Sequence, residues 1–110
     1  MMLSHKLVFH IPCKYWNGTE LIDIKEISNV IHALIIALSD LSISDSFYIS
    51  DITGIYKNRI FPEKTVAMFC ESEMDKAIEI YINWFKRYND ILKQEALSYE
   101  LDNQMIVLNL

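Results

Sequence analysis

Three histidines, two cysteines and fifteen carboxylates are the side chains of this 110-residue sequence with the means to run a reaction. His10 is the most telling of them. It sits in the alternating stretch Lys6 to Tyr15, where Leu7, Phe9, Ile11 and Cys13 share one parity and Val8 and His10 the other. A histidine projecting from the middle of a strand could act as general base toward a ligand held on the sheet, with Tyr48 or Tyr99 beside it. The sequence places no serine or cysteine nucleophile next to it and pairs no carboxylate with it. His5 is read as solvent-exposed, and His32, beside Ile31 in a helical stripe, as a boundary residue rather than a ligand. Cys13 and Cys70 are isolated, without C-x-x-C or a Cys/His pair at metal spacing, so zinc and iron–sulfur centres are excluded. Two free thiols are expected in a reducing cytosol.

A second group, Asp51, Thr53, Tyr56, Lys57, Arg59 and Glu63, gathers around a hairpin. Its plain reading is a solvated hairpin. Its functional reading is a recognition loop in which Lys57 and Arg59 meet an acidic partner. Tyr15 and Trp16 precede the Asn17-Gly18 turn and are either a contact anchor or a lid on a helix end. The sequence has no G-x-G-x-x-G, no Walker loop, no H-E-x-x-H and no G-x-S-x-G. No catalytic residue, cofactor or metal is assigned.

The elements that must position these residues follow from periodicity. Lys6 to Tyr15 reads as a strand whose pairing ends or bulges at Pro12. Asn17-Gly18 is a tight-turn signal, followed by a short return strand or a loop at Thr19 to Ile22. Asp23 with Glu26 has the capping-box spacing, and Ile24, Ile27, Ile31, Leu34, Leu38 and Leu41 predict a helix from Asp23 to Leu41. Leu41 to Ser46 is a turn, and Phe47 to Ile55 a strand with a bulge or bend at Gly54. Lys57 to Glu63 is predicted as a polar loop and Lys64 to Cys70 as the next strand. A second helix has Ser72 as cap and a stripe of Met74, Ile78, Tyr81, Phe85, Tyr88 and Leu92, with Lys86 and Arg87 near its far end. Leu97, Tyr99 and Leu101 alternate in a fourth strand, and a turn at Asp102-Asn103 leads into a short extra C-terminal strand.

The order is β-α-β-β-α-β: an α+β, two-layer sandwich with an antiparallel sheet and two helices on one face, over one domain spanning 1–110. It resembles the ferredoxin-like superfold. Within it, Gly18, Asp23, Gly54-Ile55-Tyr56, Glu63 and Gln94-Glu95 are similar to a pattern in small bacterial ferredoxin-like proteins of unknown function, a resemblance that implies no activity.

Composition bounds the function. With 52% hydrophobic residues and only two glycines and two prolines, disorder and a loop-dominated all-β protein are excluded. Ten Lys and Arg against fifteen Asp and Glu give a net charge of −5, and no basic stripe marks a nucleic-acid site. Val30 to Leu38 is too short to cross a membrane, and no signal-peptide pattern appears, so a cytoplasmic protein is expected. Helices on one face leave the apolar residues of the other uncovered: Val8, Ala67 and Phe69, joined by Tyr48 or Phe47 depending on register, with His10 among them. A patch of that kind usually marks an interaction surface. The leading expectation is a non-enzymatic interaction or regulatory domain working through this face, as a homodimer or on a protein partner. A phage- or mobile-element-encoded inhibitor is one form of it. Val8, His10, Tyr48, Ala67, Phe69, Trp16, Lys57 and Arg59 are its interface candidates. The alternative is a small-molecule-binding or enzymatic dimer with a sheet-lined pocket around His10.

Overall fold

The computed structural model describes residues 3–41 and 47–109. Period-two alternation produces the strand β1 (His5–Pro12), with Leu7, Phe9 and Ile11 buried and the residues between them half-buried. Pairing with the main sheet stops at Pro12, which has no N–H for the ladder. The chain then forms β2 (Lys14–Trp16) and β3 (Leu21–Asp23), a separate two-stranded sheet. Asn17 makes the turn between them: its Oδ1 accepts from the backbone N–H of Thr19 and of Glu20, each at 2.9 Å, while Gly18 takes φ +104°. The return strand is the one the sequence left open beside a loop.

That small sheet shortens the first helix. Asp23 is paired with Lys14 in β3, so it cannot cap, and Glu26 takes the N-cap position at φ 56° without a side-chain hydrogen bond. The predicted capping box does not form, and α1 runs Ile27–Leu38 instead of starting at Asp23. The turn expected after Leu41 lies outside the described residues.

Strands β4 (Phe47–Tyr56) and β5 (Arg59–Cys70) form a long hairpin in continuous register from Phe47↔Met68 to Tyr56↔Arg59. Two expectations fail here. Arg59 to Glu63 is strand rather than loop, because Lys57 (φ 49°) and Asn58 (φ 61°) complete a two-residue turn at the tip. Gly54 faces Phe61 in unbroken register, with no bulge.

The second helix, α2 (Met74–Leu92), starts two residues after Ser72, with Glu73 at the N-cap position. It extends past Lys86 and Arg87, leaving no basic residue in its last turn, and Lys93 at φ 53° ends it. The chain closes with β6 (Ala96–Leu101) and β7 (Gln104–Asn109), so the extra C-terminal strand is present.

The five-stranded antiparallel sheet has the order β4-β5-β1-β6-β7, in which β4, β5, β1 and β6 follow the split βαββαβ arrangement. Both helices pack on one face. Leu7, Phe9, Ile11, Val66, Met68, Leu97 and Tyr99 meet Ile31, Leu34, Leu38, Tyr81 and Phe85 in one core. Among the described residues no helix is long and apolar enough to cross a membrane.

Candidate functional site

Strand parity alone assembles the site. With Leu7 and Phe9 turned to the helices, Lys6, Val8 and His10 face the other side. The register sets Ala67 opposite Val8 and Thr65 opposite His10 on β5, with Tyr48 and Ser50 beyond them on β4. On the other flank β6 brings Glu100 opposite Val8. These residues line a cavity of about 260 Å³ on the open face, with Ile52 and Asn103 completing it.

His10 is held from both sides in that wall. Its side chain is 12% exposed, and each ring nitrogen faces a carboxylate. Nε2 lies 2.5 Å from Glu100 Oε2, and Nδ1 lies 3.5 Å from Glu63 Oε2. The carboxylates of Glu63 and Glu100 raise the histidine above its ordinary value, against partial burial, which lowers it. Relative to a free histidine, the imidazolium form, in which both nitrogens donate, is favoured. From beneath, the buried Tyr81 hydroxyl is shared between the carbonyls of His10 (2.8 Å) and Ser98 (3.0 Å), tying β1 to β6 at this point. Burial pushes the Tyr81 phenol far up, so it stays a donor.

One end of the cavity is aromatic. Tyr48 and Phe69 lie 6.3 Å apart, and Lys6 Nζ is within 6 Å of both ring centres, at 5.9 and 5.8 Å. The lip near Asn103 is held by Asp102. Its Oδ1 accepts from the Lys6 N–H at 2.9 Å, and its Oδ2 lies 2.7 Å from His5 Nδ1. The same contact raises His5 and, with the Lys6 N–H, lowers Asp102.

The structure thus brings together Val8, His10, Tyr48 and Ala67, with Phe69 at their edge. Trp16, Lys57 and Arg59 are elsewhere, around the hairpin tip and the small sheet. There the Arg59 guanidinium sits 3.6 Å from the Trp16 ring centre, so the two partner each other. Tyr99 is not a site residue: it is buried on the helix face against Phe9 and Tyr81. His32 is exposed on α1. His5 is paired with Asp102 rather than simply solvated.

The sequence did not pair Glu63 or Glu100 with His10. Glu100 was available from parity, since Leu97, Tyr99 and Leu101 on the core face put Ser98 and Glu100 on the open one. Glu63 was hidden by the assignment of Arg59 to Glu63 to a loop. A second cavity, also about 260 Å³, lies between the helices against Ala33, Ala37, Ile80 and Trp84. Among the described residues that line it, Arg87 is the one charged side chain, with no carboxylate beside it.

No protein-family model matches the chain, and neither does any curated protein. Among solved structures it is similar to a phage SAM lyase in the apo state, with TM-score 0.59 and 13% identity over 96% of this chain and 89% of that one. It is also similar to a phage SAM lyase in complex with S-methyl-5′-thioadenosine, with TM-score 0.62 and 9% identity over the same shares. At such identities the likeness is one of fold, α+β with a sheet. The expectation of a non-enzymatic regulatory domain is corrected at this point. Its structural neighbours carry the name of an enzyme and, in one case, a bound small molecule. The open face it was to use for protein contact holds a cavity with a carboxylate-flanked histidine in its wall.

Proposed function

We propose that this chain is an enzyme that takes a small adenosyl sulfonium compound of the SAM (S-adenosylmethionine) class into the cavity around His10. The observation that carries the reading is the Glu63–His10–Glu100 arrangement in the wall of a sheet-lined pocket. Its support from outside is the shared fold of a SAM lyase and its S-methyl-5′-thioadenosine complex.

The chemistry of the pocket fits such a ligand. Carboxylates attract a sulfonium cation, and the aromatic end formed by Tyr48 and Phe69 offers an apolar surface to a purine. Ser50, Thr65 and Asn103 supply hydroxyl and amide groups for ribose oxygens. A lyase that releases S-methyl-5′-thioadenosine from SAM breaks the bond between sulfur and the side-chain carbon of the amino acid. Sulfur keeps the electron pair and leaves neutral. As that bond breaks, the same carbon takes up the fragment's own carboxylate oxygen, or the neighbouring carbon loses a proton to form a double bond, and no water is consumed. In this reading Glu63 and Glu100 hold the ligand's positive charge, His10 holds the two carboxylates in place, and a carboxylate takes up the proton where one is lost.

A cavity of about 260 Å³ is at the lower limit of small-molecule sites, and the open face that forms its rim carries exposed apolar residues beside Lys6 and Asn103. Tyr48, Ile52, Phe69, Met105 and Val107 are each more than a third exposed. The proposal therefore takes the working species as a homodimer in which a second copy covers that rim, in the cytoplasm, where two free thiols are at home.

The test is a titration of the chain with S-methyl-5′-thioadenosine followed by NMR. Shifts concentrated at Val8, His10, Thr65 and Ala67 are expected. An unchanged spectrum at millimolar ligand would remove the adenosyl class from the reading.

A further inference from the structure

Gly54 is the glycine whose place the turn chemistry does not explain. It lies inside β4, directly opposite Phe61, and its φ is not in the left-handed region, so its backbone suits any residue. A glycine inside a strand weakens it and usually makes room for something. Here the occupant is identifiable. A β-carbon at position 54 would stand 2.7 Å from Glu63 Oε1, 2.9 Å from its Cδ and 3.3 Å from Oε2. No other heavy atom is among its three nearest. The same Glu63 Oε2 lies 3.5 Å from His10 Nδ1. The carboxylate thus runs between a bare backbone on one strand and the imidazole two strands away.

We infer that Gly54 is a positioning residue for the site: its missing side chain is the space through which Glu63 reaches His10. Any side chain at 54 pushes the Glu63 carboxylate aside, because the atoms it meets are the movable end of a glutamate and not backbone. His10 then keeps only Glu100 as a close carboxylate. This rests on the reading of the cavity as the reactive site, but its physical content concerns the ligand-free chain.

The test is the titration of His10 by NMR in the full ligand-free chain, with His10→Asn to assign the signal. The charged groups that bear on the ring are Glu63 on β5, Glu100 on β6 and Lys6 along its own strand. In Gly54→Ala the His10 midpoint should fall by about half a pH unit or more, as in Glu63→Gln. Gly54→Ala added to Glu63→Gln should lower it no further, since the two act through one contact. A His10 midpoint in Gly54→Ala equal to that of the unaltered chain overturns the inference. If Gly54→Ala does not fold, Gly54→Ala with Glu63→Ala decides the matter. Folding restored by removal of the obstructing side chain supports the inference, and a double variant that stays unfolded overturns it. Neither result depends on whether SAM or its thioether binds, so failure here and failure of the proposed function are separate outcomes.

Discussion

His10 Nε2 lies 2.5 Å from Glu100 Oε2, although 90 positions separate the two in the chain. The contact exists because β1 and β6 are neighbours in the sheet and Val8, not His10, is the register partner of Glu100. The pair is a diagonal one, within reach of two long side chains across adjacent strands. With Glu63 on the other ring nitrogen, the histidine is set between carboxylates from both flanking strands.

Stability should depend on pH through this residue. Folding raises His10 above its ordinary value of 6.5, so the folded state gains stability that is fully present below that value. The gain is lost as pH rises through the higher folded value, at about 1.4 kcal/mol for each pH unit between the two. His5, raised by Asp102, contributes in the same direction. Urea unfolding should therefore give a lower midpoint at pH 8 than at pH 6. The difference should shrink in His10→Asn, and an undiminished difference there would show that the carboxylates do not hold the ring.

The floor of the site is predicted to depend on one hydroxyl. Tyr81 is fully buried and stacked on Phe9 with ring centres 4.2 Å apart. Tyr81→Phe keeps that stacking but leaves the carbonyls of His10 and Ser98 without their donor. A loss of about 1–3 kcal/mol is expected in denaturant unfolding. Tyr81→Ala should lose about 3–5 kcal/mol, because the ring goes as well.

The sequence carried the layers and half of the site. Alternation at Leu7, Phe9 and Ile11 settles which face of β1 meets the helices, and hence that His10 and Val8 face away. The stripe of Tyr81, Phe85 and Leu92 likewise identifies the buried side of α2. What could not be read was register across long separations and turns made without glycine. Lys57-Asn58 closes a hairpin with both residues at positive φ, where lysine is a rare choice. Without that turn Arg59 to Glu63 looks like a loop, and Glu63 is lost to the site. The same local blindness put a cap at Asp23, where a distant partner, Lys14, claims the residue for a strand.

Arg59 and Trp16 should behave as a clasp between the hairpin and the small sheet rather than as a docking surface for an acidic partner. The guanidinium covers the indole, and Trp16 is 39% exposed whereas Trp84 is buried. Arg59→Ala should shift the fluorescence of Trp16 to longer wavelength and cost about 0.5–1 kcal/mol in stability. An unchanged spectrum would mean that the stacking does not persist in solution.

The proposed action of the His10 cavity on a sulfonium of the SAM class has a direct readout. Proton NMR of SAM incubated with the chain reads this directly, since the methyl on sulfonium sulfur and the methyl on thioether sulfur resonate apart. Release of S-methyl-5′-thioadenosine well above a protein-free control is expected, with Glu100→Gln and His10→Asn slower by roughly 10²–10⁴. SAM that persists as it does in the protein-free control would contradict it.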